Sequence, residues 1–328
     1  MSITYVDIIY ILVSILSFVW YKVFLKKFSN QTGLVMIGLF WINFLAYIFY
    51  VLIYLARKFI LEHDIMAVEE LLHEFTFYNA PLYLITGLSF VGSTIIYARL
   101  IQKYEISRVI PFANLSLILT EIGYIILGDQ FNSTEFLGIT VISLGSLITG
   151  LNSLSVTHFI RNLKKIPKDF LWGIAAESIL KSITAICTFF LTQRTQVSER
   201  VMSSLRHIFP FEFHNPFYTN LGVRFFIMLS FFFYIHRHTE YTGKIIPTLH
   251  KYWYVLLILS ILFLISAYAH NIAYALTPDK TIIAALSKLN APFILCFAYM
   301  ILKEKITIPK AIGTALITIG GLIIFIGD

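Results

Sequence analysis

The amino-acid sequence predicts an all-α integral membrane protein, with ten transmembrane helices in two inverted-topology repeats of five. Its 328 residues are 58% hydrophobic and only 13% charged, and the mean hydropathy is +0.80. A soluble protein of this size could not hide so much apolar surface from water. The apolar residues form segments of membrane-spanning length, and a stretch in the first half of the chain resembles one in the second half.

Ten apolar segments are long enough to cross a bilayer, which takes about 20 mostly apolar residues. Helices are the element expected there, because single strands cannot satisfy their backbone groups in lipid. The predicted spans, numbered 1 to 10, are 4–22, 33–56, 79–98, 108–127, 134–151, 169–192, 218–236, 252–275, 281–302 and 309–327. The two long connections, 57–78 and 193–217, contain amphipathic stretches, which predicts either helices lying on the membrane surface or solvated loops.

An internal repeat relates the two halves of the chain. Residues 105–150 match residues 280–325 at one fixed offset of 175, so that Gly138 falls on Gly313. Both copies consist of an apolar helix, a tight turn and a second apolar helix. Because each half holds five spans, an odd number, the halves are expected to lie in the bilayer in opposite orientations, which is the usual framework of a secondary transporter.

The basic residues predict how the chain is oriented. Sixteen lysines and arginines lie in connections that follow odd-numbered spans, and only six lie on the opposite side. The positive-inside rule therefore places both termini on the extracytoplasmic side. The expected location is the bacterial inner (plasma) membrane. The predicted units are a first repeat, a cytoplasmic linker and a second repeat, at 1–152, 153–168 and 169–328.

The two repeat copies read LGDQFNSTEFLG at 127–138 and LKEKITIPKAIG at 302–313. With the ten-span layout, they resemble the drug/metabolite transporter superfamily, most closely its EamA-type ten-helix members. Span 6, with GIAAESILKS at 173–182, is also similar to the first helix of the small multidrug transporters. In that family a glutamate carries the coupling proton, and the resemblance assigns this role to Glu177. The corresponding stretch of span 1, VSILSFVWYK at 13–22, has no carboxylate. Many family members also have cytoplasmic termini, unlike the orientation predicted here.

Five ionisable residues inside spans are candidates for the functional site, because each costs about 2.5–3.5 kcal/mol to insert. They are Glu121, Glu177, Lys181, Arg224 and Lys288. Glu177 and Lys181 are four residues apart and share a helical face, so they either neutralise each other or line a transport path. Lys288 needs an acid or an anionic ligand nearby to stay charged. Arg224 either belongs to the site or extends to the membrane interface.

Polar residues beside these charges extend the candidate site. Asn114 and Pro111 share a face with Glu121, and a proline inside a span frees a backbone carbonyl group. A purely structural partner for Glu121 remains the alternative. Asn290 follows Lys288 closely and precedes Pro292.

Two more side chains complete the candidate set. His270 is predicted either as a hydrogen-bonded core histidine or as part of the site. Tyr97 belongs to a polar stripe that either holds helices together or contacts a solute.

These features predict a secondary transporter that moves a small polar, anionic metabolite by alternating access. Three midspan cations against two carboxylates predict the negative charge of the substrate. The alternatives are a flippase for a lipid-linked or phosphorylated head group and an integral-membrane enzyme using His236, Arg237 and His238.

The sequence also bounds the partners and cofactors. It contains no nucleotide-binding loop, and its two cysteines have no metal-ligand spacing. No catalytic residue, metal, cofactor or nucleic acid is therefore expected. The expected partners are the substrate and the lipid bilayer, with protons or a counter-substrate and a homodimer left open.

Overall fold

The computed structural model describes residues 5–56, 59, 80–126, 132–149, 151, 166–192, 216–276 and 286–327. The helices in this part of the chain are α1 Tyr5–Thr32, α2 Val35–Ala56, α3 Ala80–Lys103, α4 Ile106–Ala113, α5 Ser116–Ile126, α6 Ser133–Thr149, α7 Lys168–Thr192, α8 Pro216–Arg237, α9 Thr239–Thr242, α10 Ile245–Leu276, α11 Asn290–Phe297 and α12 Ile308–Gly327. A π-helical turn, Ala298–Leu302, follows α11. No strand occurs within these ranges. The predicted linker and the two long connections lie almost entirely outside the described residues.

The fold is that of an all-α, multi-pass membrane protein. Seven segments within the described ranges are long and apolar enough to cross a membrane: Ile8–Thr32, Val35–Ala56, Ala80–Lys103, Ile106–Gly123, Lys168–Thr188, Ile245–His270 and Ile308–Ile326. Two apolar helical segments, Ser133–Thr149 and Asn290–Leu302, are shorter. The all-α membrane class predicted from composition is therefore confirmed.

Helix α1 is longer than the predicted span 4–22 and ends at Thr32. The prediction ended the span at its first lysine, but the helix continues past it, and the next lysine finds partners on α3. Lys26 is buried, and its amine donates hydrogen bonds to the carbonyl groups of Ile101 and Tyr104 at the end of α3. Lys22 consequently lies inside α1 rather than in a connection, which corrects its place in the count of basic residues.

Two predicted spans are broken helices, and the breaks fall at corresponding positions of the repeat. Span 4 is interrupted at Asn114 and Leu115, between α4 and α5, and the chain before α11 turns at Lys288 and Leu289. At the first break, hydrogen bonds join residues three apart, from the Asn114 amide to Pro111 and from the Leu117 amide to Asn114. Such bonds wind the chain more tightly than an α-helix and so end the regular helix.

Pro292 accounts for the second break. A proline ring inside a helix clashes with the carbonyl group four residues earlier, which here belongs to Lys288. The turn residue Leu289 instead uses its amide to bond the carbonyl group of Leu286 at 2.9 Å. Pro111 does not explain the first break in the same way, because its fourth preceding residue is Ser107, near the start of α4.

The repeated glycines pack α6 against α12. A Cβ atom added at Gly145 would lie 2.5 Å from the carbonyl oxygen of Gly313, and one at Gly313 would lie 2.5 Å from that of Gly145. The second pair behaves alike. A Cβ atom added at Gly138 would lie 2.7 Å from the carbonyl oxygen of Gly320, and one added at Gly320 would lie 2.6 Å from that of Gly138. The residue numbers rise along one helix as they fall along the other, so the helices are antiparallel and their backbones touch.

The remaining long helices pack against one another, some parallel and some antiparallel. Helix α3 runs antiparallel to α7, since Gly92 contacts Leu180 and Gly173 contacts Leu100. The same helix runs parallel to α8.

The contacts between α3 and α8 fix that second direction. Gly87 meets Phe226, and Gly222 meets the ring of Tyr83. Helix α1 packs on α10, α2 on α8 and α10, and α5 on α7. The two broken helices contact each other through α4 and α11, and they pack against α1, α6, α7 and α12.

Candidate functional site

An ion pair on α7 forms the centre of the candidate site. The amine of Lys181 lies 2.9 Å from one carboxylate oxygen of Glu177, one helical turn earlier. Glu177 is 1% exposed, whereas the side chain of Lys181 is 45% exposed, so the pair joins the buried core to an accessible surface. The second carboxylate oxygen of Glu177 has no hydrogen-bond partner among the described residues. The predicted shared helical face is confirmed, and the ion pair leaves the second carboxylate oxygen without a partner among the described residues.

A second lysine, Lys22 on α1, belongs to the same site and was missed by the sequence prediction. Its amine lies 3.8 Å from the ring centroid of Tyr97 on α3 and 5.3 Å from that of Tyr21. The charge of Lys22 interacts with both Lys181 and Glu177. The apolar residues 23–25 that follow Lys22 are the signal that could have found it, because they extend the helix past the lysine.

The broken helix before α11 brings in a third lysine, Lys288. Its charge is repelled by that of Lys181 and attracted by those of Glu177 and Glu121. Glu121, on α5, is 3% exposed. His270 on α10 also lies close enough to Lys288 for their charges to interact. The structure therefore brings together these predicted residues.

The two helix breaks each present a buried asparagine. Asn114 is 4% exposed and Asn290 is 9% exposed. The side-chain NH₂ of Asn114 and the side-chain oxygen of Asn290 have no hydrogen-bond partner within the described ranges. Helices α4 and α11 contact each other, so both asparagines lie in the same region of the bundle. Their amides offer a donor and an acceptor to a polar ligand.

A small hydrogen-bonded group fixes the helices behind the ion pair. The Thr120 hydroxyl on α5 donates to its own helix at Ser116 and contacts the Ser182 hydroxyl at 3.1 Å. Ser182 lies next to Lys181 and also approaches the carbonyl group of Ser116 at 3.1 Å. These contacts hold α5, which carries Glu121, against α7.

Arg224 does not join this cluster, although the sequence placed it among the candidates. It is 7% exposed, and its guanidinium lies over the rings of Tyr50 and Phe263, 5.4 and 5.1 Å from their centroids. The rings of Tyr50 on α2 and Phe263 on α10 therefore cover the guanidinium inside the bundle. Within the described ranges it has no acidic partner.

One end of the bundle is closed by charged contacts that the sequence did not predict. Glu304, just after the π-helical turn, accepts hydrogen bonds from the amides of Ile106 and Ser107, at 2.8 and 3.0 Å, and from the Ser107 hydroxyl. These are the first amides of α4, whose positive helix end attracts a carboxylate. Beside them, the buried amine of Lys310 lies 2.6 Å from Glu105.

The same end carries a contact between α3 and α7. Lys103 forms an exposed ion pair with Asp169, and the hydroxyl of Tyr104 donates to the same carboxylate at 3.0 Å. Burial, together with this hydrogen bond, raises the pKa of the Tyr104 hydroxyl. This end of the bundle therefore joins α1, α3, α4, α7 and α12.

The cluster combines charged side chains with amide groups. Three lysine amines face two carboxylates, with amide groups at both helix breaks. Within the described ranges, no group of three or more histidine, cysteine, aspartate or glutamate side chains could hold a metal ion.

Comparisons with known proteins bear on the fold of the chain. No family model matches the chain, and no curated protein matches it. A solved structure described only as "Crystal structure of protein" matches with a TM-score of 0.61 and 13% sequence identity, over 97% of this chain and 96% of that chain. At this identity the match shows a shared fold along nearly the full length of both chains.

Proposed function

We propose that the protein is a secondary transporter that carries a small anionic metabolite across a membrane by alternating access. The observation that carries the proposal is the meeting of two broken helices with three lysines around Glu177. In transporters, broken helices place backbone and side-chain polar groups at the midplane, where the substrate binds. The corresponding positions of the two breaks in the repeat tie this feature to the internal symmetry of the chain.

Reciprocal glycine contacts support two inverted repeats. In the sequence repeat, Gly138 corresponds to Gly313 and Gly145 to Gly320. In the structure, Gly138 contacts Gly320 and Gly145 contacts Gly313. Each glycine of α6 therefore contacts the repeat counterpart of the other glycine. Such exchanged contacts are the pattern that a two-fold axis produces. In the proposed arrangement α6 and α12 both cross the bilayer. The axis between two antiparallel crossing helices then lies in the membrane plane, which is the geometry of inverted repeats.

The directions of neighbouring helices support ten crossings. If successive spans alternate in direction, two spans are antiparallel when their span numbers differ by an odd number. They are parallel when the numbers differ by an even number. Spans 5 and 10, α6 and α12, are antiparallel, as are spans 3 and 6, α3 and α7. Spans 3 and 7, α3 and α8, are parallel. All three directions agree with ten alternating crossings, and an EamA-type arrangement with extracytoplasmic termini remains part of the proposal.

The charge balance of the cluster favours an anionic substrate. Lys22, Lys181 and Lys288 bring three positive charges, while Glu177 and Glu121 bring two negative ones. A buried charge without a partner is unfavourable, so an excess cation in this region is stabilised when an anion arrives. Charge-assisted hydrogen bonds from amines to carboxylate or phosphate oxygens are strongest where water is excluded.

Transport by purified protein in liposomes tests the proposal. We expect uptake or exchange of at least one member of a panel of radiolabelled carboxylates and phosphorylated metabolites. The variants Lys22→Met and Lys288→Met should lose this activity while keeping the melting temperature nearly unchanged. Lys251→Met, which removes an exposed lysine of α10, is the matched control and should transport normally.

Two outcomes would contradict the proposal. If the folded protein moves no member of the panel but scrambles labelled lipids, it is a flippase. If Lys288→Met keeps full anion affinity but loses much of its thermal stability, Lys288 is one half of an internal ion pair, and the anionic substrate loses its main support.

A further inference from the structure

Arg224 is a buried cation whose charge nothing in the described part of the protein neutralises. It is 7% exposed, and its Nε atom has no hydrogen-bond partner within the described ranges. Its only electrostatic partner there is the phenol of Tyr50. A charge at this depth in a membrane protein needs compensation, and such residues usually mark a substrate or ion pathway.

The contacts of Arg224 hold the guanidinium in place and leave its binding edge available. Tyr50 on α2 and Phe263 on α10 lie against it through their rings. A cation–π contact uses the flat face of a guanidinium, whereas its five N–H donors point outward in its plane. That edge forms paired hydrogen bonds with a carboxylate or a phosphate. Nε lies on this edge and has no hydrogen-bond partner within the described ranges, so it is a donor that can bind an anion.

An unbroken series of aromatic contacts joins Arg224 to the lysine cluster. Phe263, which touches the guanidinium, lies 5.1 Å from Tyr21 between ring centroids. The ring of Tyr21 in turn lies 5.3 Å from the amine of Lys22. Arg224 and the central cluster are thus separate cationic groups on the two sides of one aromatic layer.

Arg224 lies toward the end of the bundle opposite to the Glu304 contacts. It is near the start of α8, and Tyr50 is near the end of α2. The contacts of Glu304 and Lys26 involve instead the ends of α1 and α3 and the start of α4. An anion entering from the α2 and α8 end would meet Arg224 before reaching Lys22.

We propose that Arg224 is the anion-binding group of a second subsite, through which a carboxylate or phosphate group passes between the α2 and α8 end of the bundle and the lysine cluster. The inference rests on the proposed transport of an anion and adds a separate capture step to it. The ligand chemistry is a single oxyanion that fits the guanidinium edge. Free metabolites and lipid head groups both carry this group, so the test must separate these two sources.

The test measures anion-dependent thermal stabilisation of the purified protein in a neutral detergent. The background variant is Lys288→Met, in which the central cluster is impaired. Inorganic phosphate and succinate are titrated against chloride at matched ionic strength, and phosphatidylglycerol is added to micelles in a separate arm. We expect a remaining stabilisation by phosphate or succinate in this background. Adding Arg224→Met should raise the apparent Kd at least about tenfold, as expected for loss of charge-assisted hydrogen bonds.

Arg99→Met is the matched control, because Arg99 is an exposed arginine on the neighbouring helix α3. It should leave the apparent Kd unchanged. Arg224→Lys keeps the positive charge but lacks the planar fork, so it should fold normally and bind more weakly than arginine. This variant keeps the test decisive if Arg224→Met does not fold.

The results also separate the subsite from the transport proposal. In the absence of anion, Arg224→Met should not lower the melting temperature, because it removes an uncompensated charge. A drop of several degrees with unchanged anion affinity would show a structural role and overturn the subsite. Stabilisation by phosphatidylglycerol alone would overturn it as well, since the ligand would then be a lipid. Suppose that Lys288→Met loses transport and that phosphate stabilises the protein equally with and without Arg224. This result would refute the subsite but would leave the transport proposal standing.

Discussion

Replacing Glu304 should open the end of the bundle that its carboxylate closes. Glu304 accepts a hydrogen bond from the amide of Ile106, which lies 198 residues earlier in the sequence. It also accepts one from the amide of Ser107. Ile106 and Ser107 are both buried, at 0% and 1% exposure. Glu304→Ala would leave the first amides of α4 without this acceptor, while the rest of the helix stays intact.

The magnitude follows from the number of groups involved. A buried donor left without its acceptor costs about 1–3 kcal/mol, and two amides are affected. Loss of the carboxylate at a helix N-terminus adds about 0.3–1 kcal/mol. Allowing for water that reaches the half-buried carboxylate position, we expect about 2–4 kcal/mol. If the contact exists only while this end is closed, the closed state loses between about 30-fold and several hundredfold in population.

Hydrogen exchange measured by mass spectrometry in lipid nanodiscs tests this estimate. Peptides covering the start of α4 should exchange faster in Glu304→Ala by a factor of this size, while peptides of α2 should not change. Lys310→Met is the matched comparison, because it removes an ion pair whose partner, Glu105, is 51% exposed. An ion pair with an exposed partner contributes about 1 kcal/mol or less, so exchange should rise only slightly. Unchanged exchange in Glu304→Ala, with a large rise in Lys310→Met, would refute the reasoning.

Three further predictions concern packing, coupling and orientation. Gly313→Ala should lower the melting temperature by several degrees, because its Cβ would lie 2.5 Å from a backbone oxygen of α6. Gly243→Ala is the control and should leave the melting temperature unchanged, since its Cβ would meet nothing within 4 Å. Equal stability of the two variants would disprove the close packing. Glu177→Gln should abolish gradient-driven transport in a folded protein; normal transport would make the residue structural. Cysteines introduced at Asn30 and Ser133, in a background without the native cysteines, should label from opposite sides of intact cells, with Asn30 cytoplasmic; the reverse result would invert the proposed orientation.

The sequence predicted the membrane class and much of the central cluster, because both follow from local signals. Burying an ionisable group in lipid is expensive, so midspan Glu177, Lys181 and Lys288 could be recognised without knowing the fold. Lys22 was missed because the prediction ended the span at this lysine, although the apolar residues 23–25 beyond it extend the helix. What keeps Lys22 inside α1 is the ring of Tyr97, a residue of another helix that no local pattern connects to it.

Longer-range contacts limited the prediction in two other places. Arg224 has the same local signature as Lys288, yet the rings of Tyr50 and Phe263 hold it apart from the lysines. Glu304 appeared only as part of a turn motif, and its role depends on the start of α4, far away in the sequence. Pro292 is a proline inside a predicted span, and the chain turns just before it. The break at Asn114, by contrast, occurs after the proline and was not located in advance.

The central cluster is less symmetric than the frame that holds it. The glycine contacts between α6 and α12 are reciprocal, but the first half of the chain supplies Lys22 and Glu121, whereas the second half supplies Lys181, Lys288 and Glu177. A site with perfect two-fold symmetry would present the same groups to both sides of the membrane. In the proposed alternating-access cycle, the uneven distribution of charge allows a ligand to bind with different strength in the two states, and a ligand shifts their populations only through that difference. Binding constants measured at the two faces should therefore differ, while the equilibrium gradient of an uncoupled substrate stays fixed by concentration and membrane potential alone.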